Sequence, residues 1–346
     1  MKLLFLIKSF YRISKPSKTK VDAALQEKKF RKLSFQTFLA GTIGYSLYYV
    51  CRTSLNVVKK PILDSGMLDA SQLGLIGSVL LFAYAIGKFI NGFLADHCNI
   101  KRFMATGLLV SAVANFCLGI LGFASSALPT MAVFMMFAIM WGINGWSQSM
   151  GAPPAIIGLS RWYPLSKRGT FYGFFSLSHN LGEWLSFLFV GILVSVAGWQ
   201  WGFIGSSIAG ALGVIVIVFF LHDNPQSKGL PAVEEMAHEK TSADEAEEST
   251  GALQKLVLKT PAVWILAGAS AFMYIARYAI NGWGVLFLQE QKGFTLTEST
   301  TSVSGTPVPD IPENQSVCEA CSQGIFCKAR GYTAEDCRRK RTKAHW

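Results

Sequence analysis

The sequence predicts an all-α membrane protein with about seven spanning helices, and three observations carry that prediction. Of its 346 residues 51% are hydrophobic and only 15% are charged, whereas soluble domains carry about a quarter charged residues. Apolar runs recur at 34–57, 73–95, 103–124, 127–150, 169–195, 199–221 and 261–288. Lys and Arg divide unevenly between the connecting loops, the pattern left by sorting to two sides of a bilayer. A helix needs about 20 residues to cross the hydrocarbon core. These runs are too long and continuous for barrel strands, so lipid is the first predicted partner.

The net charge of +11 raises the question of nucleic acid. The basic residues concentrate at the two ends, outside the apolar runs, which favours lipid headgroups and loops over a nucleic-acid surface. The opening MKLLFLIKSF has a short apolar stretch but no small-residue cleavage site after it, so it does not read as a secretory signal.

Taken in order, residues 1–32 form a basic N-terminus with ten Lys and Arg against Asp22 and Glu27. The loop after span two holds Lys101 and Arg102, and the loop after span four holds Arg161, Lys167 and Arg168. Loops after spans three and five hold none, and Lys59 and Lys60 follow span one. The rule of positive loops inside then places the N-terminus in the cytoplasm. Residues 33–221 make a six-span unit, and 222–260 a polar linker with Pro225, Pro231 and the acidic run Asp244–Glu248. Residues 261–293 carry the seventh span. The 294–346 tail holds Cys318, Cys321, Cys327 and Cys337 and a basic end. A CxxC pair with two further Cys is compatible with a small zinc site or with disulfides, but the segment is short, lacks a clear core, and its spacing matches no established zinc pattern. The tail is therefore expected to be disordered or an artefact, with the chain truncated after span seven.

Ionisable groups inside a membrane are costly and are functional candidates by default. Arg277 lies mid-span, and Ser270, Tyr274, Arg277 and Asn281 form one polar stripe at helical spacing. Lys88 shares a face with Tyr84 and Asn91, and Arg52 shares one with Tyr45, Tyr48 and Tyr49. Snorkelling to a membrane surface is the bland alternative for both cations. Span five carries Ser176, His179, Glu183 and Ser186, with His179 a candidate proton or phosphate partner and Glu183 a candidate ion-pair partner. Span four offers Asn144 and Gln148 on one face. Three cations in one bundle exceed what packing requires. Arg holds phosphate bidentately and Lys adds a point charge, so a multiply charged anion is expected, with phosphate leading.

These residues carry a resemblance. GFLADHCNIKR (92–102) resembles the loop signature of the major facilitator superfamily, through Gly92, Asp96, Lys101 and Arg102, while His97 to Ile100 depart from its commonest form. With GYSLYYVCR (44–52), FAYAIGKFINGFLAD (82–96), SRWYPLSKRGTFYG (160–173), SLSHNLG (176–182) and ARYAINGWG (276–284), the chain resembles the organophosphate:phosphate antiporters. That family includes glycerol-3-phosphate and hexose-6-phosphate transporters and a hexose-phosphate sensor. The resemblance runs in order over 30–293.

It implies that Arg52 and Arg277 clamp a phosphoryl group near a pseudo-two-fold axis. Lys88 adds positive potential, His179, Tyr45, Tyr48, Tyr49 and Tyr274 complete the pocket, and Gly92, Asp96, Lys101 and Arg102 form a gating loop. The implied activity is exchange of an organic phosphate for inorganic phosphate by alternating access, in a bacterial inner membrane. The spans show no metal or nucleophile constellation, so no enzymatic step, metal or cofactor is expected. The family has twelve spans and this chain shows seven, so the chain alone is expected not to catalyse exchange. Glu183, after Gly182, departs from the small residue expected there. The competing expectation is a sugar-phosphate sensor of the same fold that signals to a kinase partner. A sugar-phosphate translocase of eukaryotic reticulum is a third.

Overall fold

The computed structural model describes residues 9–236 and 259–304. The cysteines at 318, 321, 327 and 337, the acidic run 244–248 and the basic end of the chain lie outside the described residues. Helices dominate the described part, joined by turns and preceded by an irregular N-terminal arm that makes one isolated bridge, Arg12 with Cys98. Helix α1 spans Ala23–Asp64, α2 Ala70–Asp96, α3 Ile100–Ala124, α4 Thr130–Gln148 and α5 Ala152–Trp162. Then follow α6 Leu165–Phe175, α7 Leu177–Ala197, α8 Trp199–Phe220, α9 Pro261–Gln291 and α10 Leu296–Ser304.

Local chemistry sets several of these boundaries. Asp69 and Gln72 form a capping box at α2: the Gln72 N–H donates to Asp69 Oδ1 at 2.7 Å and the Asp69 N–H to Gln72 Oε1 at 3.0 Å. Asn99 caps α3 by accepting the Arg102 N–H at 3.0 Å. Gly198, at φ 95°, turns the chain between α7 and α8 in a conformation that disfavours other residues.

Six segments are long and apolar enough to cross a membrane: α2, α3 with its short extension, α4 with α5, α6 with α7, α8, and α9. The seventh expected span is α1. Its 42 residues include buried Arg52 and Lys59, and the helix packs along α8 and α7 through the middle of the bundle. At 1.5 Å per residue its length of about 63 Å exceeds any hydrocarbon core, so its basic first turns project beyond the apolar bundle.

The structure departs from the sequence reading in three places. The run expected at 169–195 is two helices that meet at Ser176. There the Ser176 hydroxyl donates to Tyr172 O at 2.9 Å and the Ser178 hydroxyl to Phe175 O at 2.5 Å, the back-bonding that bends helices. The fourth run continues past residue 150 as α5, after a turn at 149–151 and with Pro at its first positions. Part of the stretch assigned to the 294–346 tail forms α10, which packs on α7 with Thr300 against Gly191.

α1 is held by neighbours on three sides. Ser46 Oγ donates to Ser178 O at 2.8 Å and Thr53 Oγ1 bonds Ser186 Oγ at 2.7 Å, both towards α7. Gly182 of α7 lies so close that an added methyl would overlap the Ser46 carbonyl and Tyr49 Cβ. Towards α3 and α4, Asn115 and Asn144 both donate to the Cys51 carbonyl, at 3.0 and 3.1 Å. Gln148 Nε2 donates to Ser111 Oγ at 2.7 Å, and Ser111 in turn donates to Asn144 Oδ1 at 2.5 Å. This satisfied buried network fixes the backbone immediately before Arg52.

The chain entering and leaving the six-span unit is clasped at one end of the bundle. Asp223, 3% exposed, accepts from Arg161 Nη1 at 2.6 Å, the Ser14 N–H at 2.7 Å, the Ile100 N–H at 3.1 Å and Asn99 Nδ2 at 3.2 Å. One carboxylate thus joins the N-terminal arm, the start of α3, the end of α5 and the segment after α8.

Candidate anion site

α9 meets α1 over only part of its length. Between Tyr278 and Trp283 it packs against α1, while Trp264, Ile265, Leu266, Phe272, Met273 and Ile275 are exposed. The two helices therefore touch near one end of the bundle and separate towards the end that holds the α1 N-terminus. A cavity of about 140 Å3 lies where they meet, lined by Arg52, Asn56 and Lys59 of α1, Glu183 of α7, and Tyr278 and Trp283 of α9, among others.

Arg52 is 6% exposed. Its Nη2 donates to the Tyr278 hydroxyl at 2.9 Å, and its guanidinium lies over the rings of Tyr84, Tyr49 and Tyr278, at 4.1, 5.5 and 5.5 Å from the centroids. Among the described residues no carboxylate pairs with it. Aromatic faces attract a cation without cancelling its charge, so the guanidinium keeps its full positive potential in the cavity. Arg277 differs. Its Nη2 donates to Glu183 Oε2 at 2.6 Å and to Asn180 Oδ1 at 2.9 Å, which neutralises it locally.

The other expected site residues divide. Tyr49 lies beside Arg52, with its ring 6.0 Å from that of His179, which is half-buried. Tyr45 is buried between Tyr49 and Phe175 and supports that wall. Tyr48 does not reach the cavity: its hydroxyl donates to Met104 O at 2.5 Å between α1 and α3. Lys88 is exposed, its amine 5.5 Å from the Tyr84 ring that it shares with Arg52. Tyr274 is 51% exposed and stacks on Tyr278, at 5.9 Å. Asn91, expected on the Lys88 face, is buried and donates to Ser149 Oγ at 2.6 Å, a helix-to-helix tie.

The expected gating loop lies at the clasped end. Asp96 is exposed and its carbonyl accepts from Arg161 at 3.4 Å. Arg102 Nη1 donates to Phe10 O at 2.7 Å, Lys101 is partly exposed, and a Cβ at Gly92 would meet open space. Beside this loop His222 is pushed down to about 4 by burial and by the nearby Lys228 and Lys101.

Three residues around this cavity are not singled out by the sequence. Tyr278 follows Tyr274 by four residues, so its helical spacing held the signal. Tyr84 shares a helix face with Lys88, and only the fold brings its ring under Arg52. Lys59, expected in the loop after span one, is 3% exposed, its Nζ donates to Gly282 O at 2.5 Å, and it sits 3.9 Å from the Trp283 ring centroid.

A bundle of membrane-length helices around an internal, cation-lined cavity defines a polytopic helical membrane protein. The chain belongs to the Major Facilitator Superfamily, whose family model matches residues 41–308. It is 34% identical to a probable hexose phosphate transport protein of Chlamydia muridarum, over 82% of this chain and 63% of that protein. It is 32% identical to the membrane sensor protein UhpC of Salmonella typhimurium, over 76% of this chain and 58% of that protein. With the glycerol-3-phosphate transporter of Bacillus subtilis it shares 32% identity, over 87% of this chain and 66% of that protein. These relatives agree with the organophosphate:phosphate antiporter resemblance of the motifs. The chain spans under two thirds of their length. Among solved structures, a bacterial homologue of the human lysosomal transporter Spinster, inward-facing and unoccupied, has the same fold. Its TM-score is 0.63 at 19% identity, over 79% of this chain and 59% of that one.

Proposed function

We propose that this chain supplies the first half and the opening span of a secondary transporter that exchanges an organic phosphate, a hexose phosphate or glycerol 3-phosphate, for inorganic phosphate. The observation that carries the reading is the uncancelled charge of Arg52, buried among three aromatic rings and facing the cavity. A buried cation without a carboxylate is stable only if an anion, a dipole or a π-face compensates it, and the first is what a phosphoryl group provides. Arg277 joins by exchanging Glu183 for substrate oxygen. Lys88, Tyr49 and His179 add potential and hydrogen-bonding capacity, and Tyr45 and Tyr274 are supporting walls. The similarity to a hexose phosphate and a glycerol-3-phosphate transporter supports the substrate class.

With the basic N-terminus in the cytoplasm of a bacterial cell, α1 and α9 meet at the outer side and diverge towards the cytoplasm. Such a geometry is an inward-open state. A phosphoryl group that bridges Arg52 and Arg277 lowers the cost of closing the inner side, whereas two bare cations resist it. Gly92, Asp96, Lys101 and Arg102 lie at the end that must close.

Equilibrium binding of radiolabelled glucose 6-phosphate and glycerol 3-phosphate to the purified chain tests this. Binding that weakens at least tenfold in Arg52→Lys and in Arg277→Gln supports it; wild-type affinity in both overturns it. A second reading, a sugar-phosphate sensor that signals to a kinase, is favoured by the similarity to UhpC. Phosphate-loaded proteoliposomes of the full-length protein separate the two, since counterflow belongs to the carrier alone.

A further inference from the structure

Lys59 has no role in the clamp just described, and its surroundings are unusual for a lysine. The side chain is 3% exposed. Its amine has one hydrogen-bond acceptor, the Gly282 carbonyl of α9, and lies 3.9 Å from the Trp283 ring centroid. Among the described residues the carboxylate nearest in sequence, Asp64, is taken by Lys60 at 3.0 Å. An ammonium presents three donors, so one carbonyl and one ring leave it under-compensated for its burial.

Lys59 also lines the same cavity as Arg52. The two lie seven residues apart on α1, two helical turns or about 10 Å along its axis, and both face inward. Between them the wall is polar: Thr53, Asn56 and Asn281. Glu183 is the carboxylate on this cavity, and Arg277 already holds it. The balance of charge is therefore positive. At about 140 Å3 the space is well below the 300 Å3 at which organic-ligand pockets begin, and it suits a small oxyanion rather than a sugar phosphate.

We propose that the space between Arg52 and Lys59 is a second anion position, which takes inorganic phosphate on the far side of the clamp from the opening between α1 and α9. An anion there draws the Lys59 amine off the Gly282 carbonyl and away from the Trp283 ring. The hydrogen bond that Lys59 donates to this carbonyl joins α1 to α9 at this end, so occupancy loosens the closed end of the site. The proposal rests on the anion-transport reading for its purpose but not for its chemistry, which needs only Arg52 and Lys59.

The Trp283 indole provides the probe. Inorganic phosphate is titrated into the purified full chain while tryptophan fluorescence is followed, and the Trp283→Phe variant identifies the part of the signal that comes from this ring. A saturable Trp283 signal is expected. Lys59→Gln weakens its apparent affinity at least tenfold and Lys59→Arg restores most of it, which separates charge from misfolding. In Arg277→Gln combined with Glu183→Gln, the clamp arginine and its carboxylate are both neutral, and the Trp283 signal persists within about threefold. No Trp283 signal, or one that Lys59→Gln leaves intact, overturns the proposal. A signal lost in the double variant and kept in Lys59→Gln also overturns it, while leaving the two-arginine clamp standing. Loss of sugar-phosphate binding with the Trp283 signal intact removes the clamp reading instead.

Discussion

The Arg277 guanidinium and the Glu183 carboxylate meet at 2.6 Å between α9 and α7, with the two side chains 27% and 13% exposed. Arg52, on the cavity that Glu183 also lines, has no such partner among the described residues. The two arginines expected to share one phosphoryl group therefore differ in readiness: one carries no counter-charge, and the other must first give up a carboxylate.

Glu183→Gln releases Arg277 from a full negative charge. Phosphate and sugar-phosphate affinity is expected to rise several-fold. Stability is expected to fall by about 1 kcal/mol, because the pair is only partly buried and the amide still accepts a hydrogen bond. Binding isotherms and denaturant titrations on the same preparation check both signs; unchanged affinity would show that the carboxylate does not compete with the ligand.

Gly182→Ala tests the close approach of α7 to α1. The added methyl meets a backbone carbonyl at Ser46, which cannot swing away as a side-chain tip does. A loss of about 1–3 kcal/mol is expected, as for other overpacked sites. A thermal midpoint equal to wild type would mean that the helices sit further apart than described.

Asp223→Ala removes the acceptor for Arg161, Ser14, Asn99 and Ile100 together. A buried ion pair broken on one side costs about 3–5 kcal/mol. The N-terminal arm is expected to detach, so limited trypsin should cleave after Lys18 and Lys20 much faster than in wild type. Equal cleavage rates would exclude the clasp as the restraint on the arm.

His222 makes stability depend on pH. Its imidazole is held near 4 in the folded chain against an ordinary value of 6.5. Between those values the unfolded chain binds the extra proton, so the contribution is complete above about pH 6.5 and is lost as pH falls towards 4. Thermal midpoints of wild type and His222→Asn at pH 7.0, 5.5 and 4.5 should converge as the pH falls; a constant gap would remove His222 from the acid response.

Spans were legible because hydropathy and length are one-dimensional quantities. Arg277 was legible because its stripe, Ser270–Tyr274–Arg277–Asn281, obeys helical spacing. The break at Ser176 was not, since it depends on serine hydroxyls competing for backbone carbonyls inside an otherwise apolar run. Tyr48 misled for a related reason. It shares a helix and a residue type with Tyr49, but a rotation of about 100° per residue turns it towards Met104 rather than the cavity. Lys59 was hidden by the fading of hydropathy at the end of span one, although α1 continues to Asp64. Charge pairing between segments distant in sequence, such as Arg161 of α5 with Asp223 after α8, leaves no periodic trace at all.

The clasp at Asp223 has a mechanical meaning. Force along the linker reaches the segment after α8 first, and there it meets a carboxylate tied to the N-terminal arm, α3 and the end of α5. The strain is shared among four anchor points before α8 can shift. The six-span unit is thereby tied at this end to its own N-terminal arm, and a load on the segment after α8 is spread over that arm, α3 and α5.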